Sequence, residues 1–285
     1  MDGLVDGRLA VVTGGAGVIA SSVCRLFAEH GARVLFADVD AERTATLTAE
    51  ITAAGGYAEG VVADLRELSA LQALHARADE LGGADVLVNA LGHYLSIGPF
   101  VDNEEDLWQQ LYEINVLPVL RACRLFVPGM QSRGWGRVIT FSSVEAIRSA
   151  PFMAVYGACK SMVDGFSKSL AVEVAGDGVL VNAIASDKTR TIQTNFLQIP
   201  PEYEHLVPTW IPRGRYGEGI DNARIALFLA SELADWMVGS TVLADGGTMA
   251  AGGWYRTPAR WTTQPLLHQY FEAPEANADR PRSLQ

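Results

Sequence analysis

Apolar residues in this chain fall in short runs separated by longer amphipathic stretches. The runs Leu9–Val12, Val34–Ala37, Val61–Ala63, Val86–Val88, Val138–Phe141, Leu180–Ile184 and Thr241–Ala244 are strand-sized. Several are rich in Val and Ile, as strands buried on both faces are. Helical periodicity lies between them, near 17–29, 41–54, 67–81, 105–132, 155–175 and 219–233. Gly31 and Gly55 stand where the first two helices should end. Alternation of this kind predicts βαβ units and an α/β fold with a doubly wound parallel sheet. Right-handed crossovers then put ligands at the carboxyl ends of the strands.

Two segments break the rhythm. Thr189–Pro212 has weak periodicity, four prolines and the large apolar residues Ile192, Phe196, Leu197, Ile199, Tyr203, Leu206 and Trp210. A long irregular stretch in a compact domain is often a lid, and 189–212 is expected to cover a substrate. Met249–Gln285 carries Trp254 and Trp261 and then turns polar. The expected organisation is a single nucleotide-binding and catalytic domain over 1–248, with 249–285 as a C-terminal extension.

Composition narrows the function classes. The chain has 285 residues, with 22 Lys and Arg against 33 Asp and Glu, a net charge of −11. Such a balance repels phosphate backbones and argues against a nucleic-acid partner. Cys24, Cys123 and Cys159 form no C-x-x-C pair, so neither a disulfide framework nor a thiolate zinc site is indicated. The first eight residues lack a basic, apolar leader, and no apolar run approaches a membrane span. The expected setting is cytoplasmic, with no membrane partner.

The first candidate chemistry is a glycine loop. The first strand runs into Thr13-Gly14-Gly15-Ala16-Gly17-Val18-Ile19-Ala20 and then into a helix. Glycine lets the backbone approach a phosphate, and the helix N-terminus offers free N–H groups and a positive dipole end. Asp38 closes the second strand, 24 residues after Gly14. A carboxylate there accepts hydrogen bonds from a ribose and repels a 2′-phosphate, which favours NAD over NADP.

The second is a proton-transfer set. Tyr156 and Lys160 are four residues apart at the start of a helical stretch, and so share one face. A free tyrosine, with a pKa of about 10, is a poor base at neutral pH. A lysine ammonium and a cationic nicotinamide ring both favour the phenolate. Ser143 lies just past the fifth strand, 13 residues upstream of the tyrosine. Y-x-x-x-K alone is a common coincidence; behind a nucleotide loop and a strand-end serine it becomes a site.

These elements together resemble the short-chain dehydrogenase/reductase family over about residues 7–248. The ordered set is the Thr13–Ala20 loop, Asp38, Asp64, Asn89, Asn115, Ser143, Tyr156, Lys160, Val181–Ile184 and Asp245-Gly246-Gly247. The resemblance implies a single Rossmann-like domain of about seven parallel strands, in homodimers or homotetramers. It implies that Tyr156 is the general acid/base, that Lys160 lowers its pKa and binds the nicotinamide ribose, and that Ser143 orients the substrate oxygen. Asn115 is implied to hold a water linking Lys160 to solvent. The implied cofactor positions are Gly14, Gly17, Val18, Ile19, Asp38, Val39, Asp64, Leu65, Asn89, Ala90, Gly92, Thr189 and Thr191, with Tyr156 and Lys160. Asp64 and Leu65 are assigned to the adenine, Asn89 to the adenosine side, and Thr189 and Thr191 to the nicotinamide amide and phosphates.

Three loops depart from the family pattern. Val18 and Ala20 replace glycines, Asn89-Ala90-Leu91-Gly92 stands for N-N-A-G, and Ser186-Asp187 stands for Pro-Gly. Asp187 is expected to add a negative charge near the nicotinamide side. Five histidines show no metal-ligand spacing, and no serine sits in a G-x-S-x-G elbow. No metal is expected. The leading expectation is an NAD(H)-dependent oxidoreductase that interconverts a secondary alcohol and a ketone on a hydrophobic, cyclic small molecule. The alternatives are a non-redox enzyme of the same fold, doing elimination, isomerisation or cyclisation with Tyr156 and Ser143, and a dinucleotide-sensing protein.

Overall fold

The computed structural model describes residues 3–193, 201–257 and 261–263. Seven parallel strands form one sheet: β1 Leu9–Thr13, β2 Arg33–Asp38, β3 Tyr57–Val62, β4 Val86–Asn89, β5 Gly136–Ser143, β6 Val179–Ser186 and β7 Thr241–Ala244. Their order is β3-β2-β1-β4-β5-β6-β7, so the winding reverses between β1 and β4. Alternate strand residues serve opposite faces. Val11, Leu35 and Leu87 pack under α3 (Leu68–Glu80), α4 (Glu105–Asn115), α5 (Leu117–Arg133) and α6 (Ala154–Val174). Val12, Phe36 and Val88 pack under α1 (Val18–Glu29), α2 (Ala41–Ala53) and α7 (Gly219–Ala230). Both faces are therefore covered, as the Val- and Ile-rich runs predict.

The strand and helix expectations differ from the structure in two places. β3 spans Tyr57–Val62 rather than 61–63. It is an edge strand, half-exposed along its length, so its first residues Tyr-Ala-Glu-Gly carry no continuous apolar run. The stretch 105–132 is two helices, broken at Val116. Pro118 lies in the first turn of α5; inside one long helix it would lack a donor and clash with the carbonyl four residues back. The break leaves Asn115 as the last residue of α4, wholly buried.

After β7, Asp245 takes backbone N–H bonds from Gly247 and Met249 and turns the chain into α8, Thr248–Ala251. Beyond it, β8 (Tyr255–Arg256) and β9 (Trp261–Thr262) pair antiparallel. β8 packs against a short 3-10 helix over Pro201–Thr209. The expected lid thus contains that helix and a bridge between Thr189 and Gly217. Phe196, Leu197 and Ile199 lie outside the described residues, as does the chain after 263.

Candidate active site

The glycine loop joins β1 to α1 at the carboxyl edge of the sheet. Gly14 has φ 64°, the left-handed region, and a Cβ there would stand 3.0 Å from the Leu91 backbone. Gly17 caps α1 without a side chain, leaving the first-turn N–H groups at this edge for an anion. Val18 and Ile19 are the first two residues of that helix and half-buried, and Ala20 is buried. The positions where the family pattern has glycine therefore have helical backbone here, which valine and alanine adopt without strain. The Asp38 carboxylate is held on both oxygens, by the Ala16 N–H at 3.1 Å and the Asp40 N–H at 3.0 Å. It stands beside the glycine loop, and the neighbouring Val39 is exposed.

Asp64 is gripped by Arg66 through side chain and backbone, which holds its carboxyl below the usual range. The Leu65 side chain is buried in the core. Asn89 also turns inward: its amide lies 3.4 Å from the Thr140 hydroxyl and 3.7 Å from Cys123 Sγ. A cofactor contact at 89 would have to use the backbone. The Thr13 hydroxyl accepts the N–H groups of Ala90 and Leu91, pinning the end of β4 to that of β1. Thr13 was read only as the start of the glycine loop, and Arg66 did not stand out in the sequence, although the D-x-R spacing was there to be read.

Asn115, Ser143, Tyr156 and Lys160 come together at the carboxyl edges of β4 and β5. Asn115 accepts the His93 N–H at 3.1 Å and donates to the carbonyls of His93 (2.7 Å) and Leu111 (2.9 Å). Its amide thereby fixes the loop after Gly92. The Lys160 ammonium is buried, donates to the Phe141 carbonyl at 3.0 Å and lies 5.8 Å from the centre of the Tyr156 ring. Burial lowers Lys160 to about 8, against the opposing pull of Asp164. Tyr156 is pushed up to about 12 by burial, while a hydrogen bond with Ser143 works the other way. In the protein chain alone burial thus outweighs the expected lowering by Lys160. The Tyr94 ring meets Tyr156 edge-on at 6.4 Å, and the Tyr94 hydroxyl donates to the Gln193 carbonyl. Gln193 in turn donates to the Gly92 carbonyl at 3.2 Å, tying the segment after Thr189 to the loop after β4.

The end of β6 lies beside the end of β5, with Ser143 in register with Ser186. Thr189 is buried, and its hydroxyl meets Ser186 at 3.2 Å and the Asn222 amide at 3.1 Å. Thr191 is half-buried at the start of the lid. Asp187 does not add a bare charge: Arg148 donates to it at 2.9 Å, and the Thr248 hydroxyl donates to its other oxygen. Among the described residues no group of His, Cys, Asp or Glu could hold a metal ion.

Residues 14–249 match the family described as enoyl-(acyl carrier protein) reductase. Galactitol 2-dehydrogenase (L-tagatose-forming) of Cereibacter sphaeroides is 34% identical, over 85% of this chain and 95% of that protein. The chain belongs to the short-chain dehydrogenase/reductase family. Its members include a 7α-hydroxysteroid dehydrogenase solved with NADH and 7-oxo glycochenodeoxycholic acid. That structure is 30% identical with a TM-score of 0.81, over 86% of this chain and 96% of that one. A gluconate 5-dehydrogenase from Burkholderia cenocepacia, solved with NADP and tartrate, is 29% identical with a TM-score of 0.81, over 88% and 98%. Like its short-chain dehydrogenase/reductase relatives, the chain is an oxidoreductase acting on CH–OH groups with a nicotinamide dinucleotide.

Proposed function

We propose that the chain interconverts a secondary alcohol and a ketone on a small molecule with an apolar body, using NAD(H) in preference to NADP(H). The observation that carries this reading is the meeting of Ser143, Tyr156 and Lys160 on one strand edge, with Asp38 at the far end of the same edge. The residues present fit a dinucleotide: a left-handed Gly14, an uncapped α1 N-terminus and a backbone-held carboxylate at the ribose position. Bound NAD supplies the hydride acceptor and a positive ring charge. With it bound, Ser143 would hold the substrate oxygen and Tyr156, as phenolate, would take the hydroxyl proton. Lys160, as ammonium, and the positive ring offset the burial that keeps the phenol protonated. Asp38 places a fixed negative charge where a 2′-phosphate would sit.

The apolar substrate body is supported by Leu95, Ile147, Phe152 and Ile192, exposed on the segments that flank Tyr94, Ser143 and Gln193. The departures that favoured non-redox chemistry are absorbed by the fold, since Val18 is helical and Asp187 is paired. A homodimer or homotetramer suits the exposed Trp236 and Val172, which would gain burial against a second copy. A cytoplasmic setting suits the three buried, free cysteines. Among the described residues no helix is long and apolar enough to cross a membrane.

The test is NADH formation across a panel of secondary alcohols, with Tyr156→Phe as control. Loss of turnover with dinucleotide binding retained is expected. Full activity in that variant, or product without NADH, overturns the reading.

A further inference from the structure

The family pattern stiffens the end of β6 with Pro-Gly, and this chain has Ser186-Asp187 there. Asp187 is almost wholly enclosed, its side chain 4% exposed. A carboxylate so placed must be compensated. The compensation comes from a different strand end: one nitrogen of Arg148, Nη2, donates to Asp187 at 2.9 Å and to Glu145 at 3.2 Å. Glu145 is two residues past Ser143, and its N–H donates to the Ser143 hydroxyl. From the other side the Thr248 hydroxyl reaches Asp187, and Lys188 stands 3.9 Å away. The backbone of 187–190 is meanwhile stitched to β7 and to 217: Asp187 N–H to Ala244, Gly217 N–H to Lys188, Arg190 N–H to Gly217.

We infer that Arg148 is a positioning residue: through Asp187 it locks the 186–190 segment against the turn after Ser143 and so shapes the edge on which the dinucleotide lies. The inference rests on the dinucleotide reading above. A guanidinium is suited to the task because it serves two carboxylates at once from a planar, permanently charged group. The lock does the work of a stiff dipeptide with side chains instead of backbone restriction, and it joins the segment to the catalytic turn.

The test is a double-mutant cycle on NADH affinity, read by calorimetry without substrate, in wild type, Arg148→Met, Asp187→Asn and the double variant. Each single variant should weaken NADH binding by about tenfold. The double variant should be no weaker than either single one, because both remove the same link. Arg148→Lys should restore part of the loss. Should Arg148→Met fail to fold, Thr248→Val tests the same carboxylate without a charge change and should weaken binding by a smaller factor. Unchanged affinity in the single variants, or additive losses in the double, overturns the inference. So does a fall in unfolding temperature with affinity intact, which marks a merely structural pair. A wild-type chain that binds neither NADH nor NADPH overturns the dinucleotide reading, and this inference with it.

Discussion

Gly92 and Lys160 meet so closely that a Cβ at position 92 would stand 2.9 Å from the Lys160 nitrogen. The same point is 2.9 Å from the Asn115 side-chain oxygen. Neither partner yields freely, since Lys160 is bound to the Phe141 carbonyl and Asn115 to three backbone groups. Gly92→Ala should fold and yet displace the ammonium. A misplacement approaching 1 Å lowers kcat on the order of 100-fold. Steady-state kinetics with a matched circular-dichroism spectrum check this; an unimpaired kcat refutes it.

Asp38 should decide the choice of dinucleotide. Its carboxylate is oriented by two backbone N–H groups, so it is ready for a ribose diol without rearrangement. Charge-assisted hydrogen bonds of this kind contribute about 1.5–3 kcal/mol. Asp38→Ser combined with Val39→Arg should weaken NAD by about tenfold or more and move the preference towards NADP. The ratio of kcat/KM for the two dinucleotides reports it.

Lys160 makes the fold's stability depend on pH in a stated direction. Its pKa is about 8 in the folded chain and 10.5 in the reference state, so between those values the unfolded chain holds the extra proton. Stability from this group therefore rises as pH goes from about 8 to about 10.5. Below that window its burial costs roughly 3 kcal/mol. Lys160→Met should accordingly raise the denaturation midpoint near neutral pH, and the gain should shrink towards pH 10.5. Urea titrations at three pH values measure this. A midpoint difference that does not vary with pH contradicts it.

The C-terminal extension should act on substrate rather than cofactor. β8 rests on the 3-10 helix over 201–209, inside the segment expected to cover a substrate. Removing the residues after Gly253 should raise substrate KM severalfold and leave NADH affinity unchanged. Unaltered kinetics with every substrate tested argue against the contact having a role.

How much of this was legible in the sequence depends on the range of the interaction. Tyr156 and Lys160 share a helix face and Ser143 follows a Val-Ile run, so spacing placed each on its element, and the glycine loop and the family resemblance joined them into a site. Pro118 was in plain view, yet the apolar pattern ran through it and hid the break that makes Asn115 a helix end. β3 was misplaced because an edge strand buries too little to show a continuous apolar run. The resemblance implied a cofactor contact at Asn89, but it could not show that the Asn89 side chain donates to Thr140, 51 residues away. Arg148 and Asp187, 39 residues apart, gave no sign of each other at all. Spacing reveals neighbours on one element; pairs made by strand order need the fold.

That strand order has a consequence for the chain as it is made. β1, β2 and β3 add outward in sequence, each beside its predecessor, and with Asp38 they form the glycine-loop side of the edge from the first 64 residues. β4 then returns to the opposite side of β1, and only after it do β5, α6 and β6 bring Ser143, Tyr156, Lys160 and Thr189. A growing chain therefore has the strands of its glycine-loop side synthesised before Ser143, Tyr156 or Lys160.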